Sequence, residues 1–172
     1  NNTISKFFKN DFKIDLNEIK NVINKIMSNN TKIIHDIIEI YNKSSPNEYR
    51  SLIAKHFTPS KDQIRKNAEI PTPTEVVDEM LDKMPINIFS ETSKILEPCC
   101  GKGNFILGIF EKFIDTLYNK FDDKEELCRI IIEKCLYFCD IEEQNVFITE
   151  ELLRAQAQSY CGLYINDLKF NS

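Results

Sequence analysis

Ile95-Leu96-Glu97-Pro98-Cys99-Cys100-Gly101-Lys102-Gly103-Asn104-Phe105 runs from a short apolar stretch into an acid, a proline and two glycines one residue apart. A strand that stops at a carboxylate and turns over small residues leaves room for a ligand against bare backbone. Gly101 and Gly103 reach positive φ without a Cβ to block close approach, so both are expected to face the ligand. Turns of this kind serve nucleotide-like molecules. Two further acids end apolar runs: Asp140 after Leu136-Tyr137-Phe138-Cys139, and Asp167 after Gly162-Leu163-Tyr164-Ile165-Asn166. A carboxylate at a strand tip can accept both hydroxyls of a ribose, and charge-assisted bonds of this kind contribute about 1.5–3 kcal/mol each. Each acid also has a plain structural role open to it. Glu97 can cap its own turn, Asp140 can cap the next helix, and Asp167 can be an ordinary turn residue.

The glycine spacing separates ligand classes. A dinucleotide site usually reads G-x-G-x-x-G and places pyrophosphate on the turn. Here the third residue after Gly103 is Ile106 and the bulky Phe105 intervenes. Charge points the same way. Residues 1–70 hold 12 Lys/Arg against 8 Asp/Glu, a balance of +4, whereas the remainder holds 10 against 19, a balance of −9. An acidic ligand-binding part suits a cationic ligand better than it suits DNA. The basic amino-terminal part can lie near nucleic-acid phosphates, or be an ordinary solvated helical face.

The six cysteines offer no metal or disulfide pattern. Cys99 and Cys100 are adjacent, Cys135 and Cys139 flank an apolar run, and Cys128 and Cys161 stand alone. No CxxC pair or Cys/His spacing suits zinc, and His35 and His56 are isolated. Reduced thiols in and near a core are expected, together with an intracellular location, cytoplasmic or nuclear. No apolar run approaches the roughly 18 residues of a membrane span, and no signal-peptide pattern opens the chain.

These chemical groups need elements to hold them. At 42% hydrophobic the 172 residues can bury a core of one domain with a small appendage. Leu16, Ile19, Ile23 and Ile26 recur at helical spacing, as do Ile33, Ile34, Ile37, Ile38 and Tyr41. A further helix starts at Ser45-Pro46 and stops before Thr58-Pro59. Residues 1–67 therefore read as a helical segment. Pro71-Thr72-Pro73 is a stiff link, with Thr74 expected to cap a helix carrying Val76, Val77, Met80 and Leu81. The pattern then alternates. Strand 94–97 leads to helix 104–120, with Phe105, Ile109, Phe113 and Leu117 inward. Helix 123–134, strand 135–140, helix 142–158 and strand 162–165 follow. Alternating strands and helices imply right-handed crossovers and a parallel sheet. The fold class expected for 68–172 is α/β, half of a doubly wound sheet with strand order 3-2-1 and the ligand at its carboxyl edge.

The succession "TP-x-x-x-V-x-x-ML, EP-x-x-G-x-G-x-F, D-I-x-x-x-N-V, N-D" resembles the amino-terminal half of adenine-N6 DNA methyltransferases of restriction–modification type, a family with bacterial, viral and phage members. The likeness covers about residues 55–170. It implies a partial Rossmann-like domain that binds S-adenosylmethionine (SAM). The cofactor contacts it implies are Thr72 and Pro73 over the carboxylate, Glu97, Pro98, Gly101, Gly103 and Phe105 at the glycine turn, Asp140 and Ile141 at the adenosine, and Asp167 at the adenine amine. This chain has Asn166-Asp167 where relatives often have Gly-Asp. Longer spacing between Gly103 and Asp140 than the usual 20 or so residues is accounted for by the extra helix.

The resemblance also marks an absence. The family resembled methylates an exocyclic adenine amine with an Asn/Asp-Pro-Pro-Tyr/Phe loop that stacks and hydrogen-bonds a flipped base. No such tetrapeptide occurs in residues 1–172, so no catalytic residue is assigned and the polypeptide is expected to bind cofactor without catalysing. Its first residue is Asn1, as expected of a trimmed chain, and Ser172 stands near where a fourth strand is expected. DNA is the implied partner, through a downstream region and the basic amino-terminal helices. A SAM enzyme acting on RNA or protein, and a non-catalytic interaction module, remain alternatives.

Overall fold

A computed structural model describes residues 61, 64, 65, 70–162, 165 and 167–172. Of the segment expected to be helical over 1–67, Lys61, Ile64 and Arg65 are helical and the rest lies outside the described residues.

The first complete element is helix α1, Thr74–Asp82. Pro73 takes the N-cap position with no side-chain cap bond, so Thr74 is the first helical residue and not the expected cap. Proline's preset φ suits helix entry without a capping hydroxyl. Val77 and Leu81, one turn apart, form the buried face, and α1 packs on helix α2, Asn104–Leu117. Asp82 and Lys112 pair across that contact. A single 3₁₀ turn at Ile86–Ile88 brings Phe89 against Phe113, edge to face with centroids 5.5 Å apart.

Strands β1, Ile95–Glu97, and β2, Leu136–Phe138, pair in parallel with Ile95 opposite Leu136 and Glu97 opposite Phe138. Both are shorter than the apolar runs that carry them. The pairing nevertheless continues past their ends, because the Cys139 amide donates to the Glu97 carbonyl (3.1 Å) and the Cys100 amide to the Cys139 carbonyl (2.9 Å). Between the strands run α2, a 3₁₀ turn at Tyr118–Lys120, helix α3, Lys124–Ile130, and a π turn, Ile131–Cys135. Asp123 caps α3 by accepting from the Glu125 and Glu126 amides. Helix α4, Glu143–Cys161, follows β2 and packs on both α2 and α3. The four helices α1–α4 and a two-stranded parallel sheet make an α/β arrangement.

The core centres on α2. Ile106, Leu107, Ile109, Phe110, Phe113, Ile114 and Leu117 are all buried, and Phe105 is only partly so. The inward face is therefore wider than the Phe105-Ile109-Phe113-Leu117 stripe expected, because α1, the sheet and α4 enclose the helix from several sides. Full burial of such side chains stabilises by about 1.5–3 kcal/mol each.

Of the third strand expected at 162–165, Gly162 and Ile165 are described. Helix α4 runs on to Cys161 and Gly162 closes it at φ +72°, the left-handed cap that glycine permits. Leu163 and Tyr164 lie outside the described residues. On the edge of β2 away from β1, the Phe138 amide donates to the Asn171 carbonyl (3.0 Å). The Asn171 side-chain amide in turn donates to the carbonyls of Glu133 (3.1 Å) and Leu136 (3.0 Å), holding the carboxy-terminal run against the π turn. No helix of the described residues is long and apolar enough to cross a membrane.

Candidate ligand site

The turn after β1 is built from its own backbone. Glu97 accepts the Cys99 amide on Oε1 (3.1 Å), the local capping role, and the Gly103 amide donates to the Cys100 carbonyl (2.9 Å). Pro98 and Cys99 are exposed, and Gly101 and Gly103 stand at φ +52° and +88°. The two glycines do different work. A Cβ at Gly101 would meet nothing within 4 Å, whereas one at Gly103 would strike Thr149 of α4, with Oγ1 at 3.0 Å and Cγ2 at 3.1 Å. Gly101 is open to a ligand. Gly103 is packed against Thr149 on the side where a Cβ would stand.

Asp140, just beyond β2, joins this turn to the start of α4. Its Oδ2 accepts the Gly101 amide (2.9 Å), and its Oδ1 accepts the Glu142 amide (2.9 Å) and the Asn145 side-chain amide (3.2 Å). An ionised carboxylate offers about four acceptor positions. Three are taken, so one remains on Oδ2 and Asp140 has capacity for one hydroxyl rather than two. The bond to the Glu142 amide is a local turn before α4, whose N-cap is Glu142 with no side-chain cap bond, so Asp140 does not cap that helix. Ile141 beside it is 91% exposed, an unsupported apolar side chain at the mouth of the turn.

The Thr72-Pro73 segment is tied in from the other side. Asn104, first residue of α2, donates Nδ2 to the Thr72 carbonyl (2.6 Å), and its buried Oδ1 has no hydrogen-bond partner. Gly103 at the N-cap contributes no side chain to the first amides of α2, which are left as free donors in a positive end field. Thr72, Gly101, Gly103, Phe105, Asp140 and Ile141 thus gather around the meeting point of turn, α2 and α4.

Asp167 belongs to a different cluster. It pairs with Arg129 of α3 at 2.5 Å, and the same guanidinium holds Glu125 (3.0 Å) and Glu133 (3.2 Å). The Arg129 bond lowers the Asp167 carboxyl below the ordinary range for an aspartate. The structure engages it in an ion-pair role on the α3 side.

Three residues outside the candidate set hold the site: Asn104, Asn145 and Thr149. Asn145 and Thr149 share a helical stripe with Leu152 and Gln156, all four buried. Polar residues interrupting the apolar face of an amphipathic helix are the sequence signal for them.

All six cysteines are free. Burial pushes the Cys100 thiol up to about 11 and the Cys128 thiol up to about 12, so both stay protonated at neutral pH and are poor nucleophiles. Cys99 and Cys139 are exposed beside the turn, and the Cys139 thiol donates to the Pro98 carbonyl (3.4 Å). No group of three or more potential metal ligands occurs among the described residues.

No protein-family model matches the chain, and no curated protein and no solved structure shows significant similarity to it.

Proposed function

We propose that this chain is the SAM-binding portion of an adenine-N6 DNA methyltransferase, with β1 and β2 as the first two strands of a Rossmann-like sheet in 3-2-1 order. The observation that carries the reading is the bond from the Gly101 amide to Asp140 Oδ2. It sets a glycine turn and an acid side by side at the carboxyl ends of neighbouring parallel strands, the edge where doubly wound sheets bind ligands. With the bond from the Phe138 amide to the Asn171 carbonyl, the outer edge of β2 accepts a neighbour, which supports a third strand on that side.

The residues present fit SAM. Open space at Gly101 admits the methionine part against backbone. The bare amides at the start of α2 suit a carboxylate, and the buried Asn104 Oδ1 is an acceptor in need of a donor. Asp140 has one acceptor position for a ribose hydroxyl, and exposed Ile141 offers an apolar face to adenine. Glu97 and Asp140 set two carboxylates on amides of the turn, which favour a sulfonium over a pyrophosphate. When bound, SAM supplies an activated methyl group; the chain's own residues bind and orient it. Adenine in DNA is the proposed acceptor, reached through the motif resemblance, with the basic residues of 1–70 available to phosphates.

A non-catalytic module on the same scaffold is the second reading. It is favoured by one observation, that Asp140 already has three protein donors.

Calorimetry with SAM and with NAD distinguishes these. SAM is expected to bind and NAD not to bind. Labelled SAM is expected to give no methyl transfer to adenine-containing DNA from this polypeptide, which has no Asn-Pro-Pro-Tyr-type loop. Absence of SAM binding overturns the reading in favour of the module; DNA methylation by residues 1–172 overturns the assignment of no catalytic residue.

A further inference from the structure

Asn145 and Thr149 lie one turn apart on the inward face of α4, at 4% and 0% exposure. Each grips one half of the same peptide neighbourhood. The Gly101 amide donates to Asp140, whose other oxygen receives Asn145 Nδ2 at 3.2 Å. The Gly101 carbonyl receives the Thr149 hydroxyl at 3.3 Å. The Thr149 side chain also fills the space beside Gly103 where a Cβ would stand, and its Oγ1 lies 3.7 Å from the Cys100 thiol. Both backbone groups of Gly101 are thereby fixed from a single helix, one directly and one through a carboxylate. An aliphatic pair at 145 and 149 would complete the apolar stripe of α4 equally well, so packing alone does not account for an amide and a hydroxyl there.

We infer that Asn145 and Thr149 are positioning residues: a two-point brace on α4 that holds the glycine turn at a set distance from the Asp140 carboxylate. Neither need touch a ligand. On the SAM reading, on which this part of the inference rests, the brace sets the span between the methionine end and the ribose end of the cofactor, and so its affinity.

The test uses the full chain with Thr149→Val, which keeps the shape and removes the hydroxyl, and Thr149→Ser, which keeps the hydroxyl. Amide exchange at Gly101, followed by NMR, is expected to speed up about 10-fold or more in the valine variant. Exchange at Cys139, whose amide bonds to Glu97 in the strand pairing, is expected to stay at the wild-type rate. SAM affinity by calorimetry is expected to fall about 10-fold in the valine variant and to stay within about 3-fold of wild type in the serine variant. Asn145→Ala is expected to reproduce the valine pattern and serves if Thr149→Val does not fold. Unchanged Gly101 exchange in Thr149→Val and Asn145→Ala overturns the brace, as does equal weakening by valine and serine. Wild-type SAM affinity despite faster exchange overturns its role towards the cofactor. If the wild type binds no SAM while Gly101 exchange responds as stated, the functional reading fails and the brace stands.

Discussion

The Gly101 amide and the Asp140 carboxylate, 39 residues apart in the chain, meet at 2.9 Å. That bond makes the glycine turn and the acid a single unit rather than two independent ligand contacts. A substitution at either moves the other, so ligand binding and fold stability are coupled at this point of the molecule.

Asp140→Ala removes the acceptor of three donors: the Gly101 amide, the Glu142 amide and Asn145 Nδ2. SAM affinity is expected to fall by about 10- to 100-fold, or about 1.4–2.7 kcal/mol, and the melting temperature to drop with it. Calorimetry and thermal unfolding on the same preparation check both. A folded alanine variant with wild-type affinity excludes Asp140 from the ligand site and leaves it as the turn's internal acceptor.

The two glycines are expected to separate. Gly103→Val drives a branched side chain into Thr149 at a φ of +88°, so it should destabilise the fold, by about 1–3 kcal/mol from overpacking alone. Gly101→Ala meets no atom and carries only the left-handed backbone penalty of about 1–2 kcal/mol. Its methyl group, however, enters the space assigned to the ligand. Loss of SAM binding in Gly101→Ala with a modest shift in melting temperature supports the division. Equal melting temperatures for Gly103→Val and wild type would falsify the packing role of Gly103.

The thiols are expected to react according to their exposure. In the native chain at about pH 8, near the free-thiol range, Cys99 and Cys139 should alkylate first, while Cys100 and Cys128, pushed up to about 11 and about 12 by burial, lag. SAM should protect the exposed pair, and denaturation without reductant should expose all six. The same burial sets a pH dependence. Folded Cys100 and Cys128 keep their protons above the ordinary thiol value of 9.0, and half-buried Tyr160, raised to about 12, keeps its proton above 10.0. The unfolded chain ionises first, so it binds fewer protons in that range and stability falls as pH rises. Stability contributed by these groups should be full below about pH 9 and decline between about pH 9 and about pH 12. Denaturant melts across that range, with mass-spectrometric mapping of alkylation, check both outcomes. A flat stability profile over the whole range would mean that the buried thiols and Tyr160 ionise alike in the folded and unfolded chain.

Much of the α/β pattern was legible because it is local. The alternation of apolar runs with helical stripes marked α1 to α4 and both strands to within a few residues, and Asp123 before Lys124-Glu125-Glu126 is a capping signal readable without a fold. The width of α2's buried face was not readable, because how many sides of a helix are covered depends on which neighbours arrive there. The same holds for α4, whose Asn145 and Thr149 acquire meaning only when Gly101 is brought opposite them.

By itself the sequence determined which residues can do chemistry: a strand-end acid, two glycines able to take positive φ, a second acid after the next apolar run, and thiols without a metal or disulfide spacing. These follow from side-chain type and from periods of two and 3.6 residues, which act over a few positions. The tertiary structure alone decided how those residues divide the work. Contacts spanning 38 to 49 residues turned Gly103 against Thr149, brought the Gly101 amide to Asp140, and drew Asp167 to Arg129. The physical reason is that a carboxylate or a bare Cα is satisfied by whichever donor or side chain packing delivers to it, and that partner is chosen by how α3, α4 and the strands close around the core.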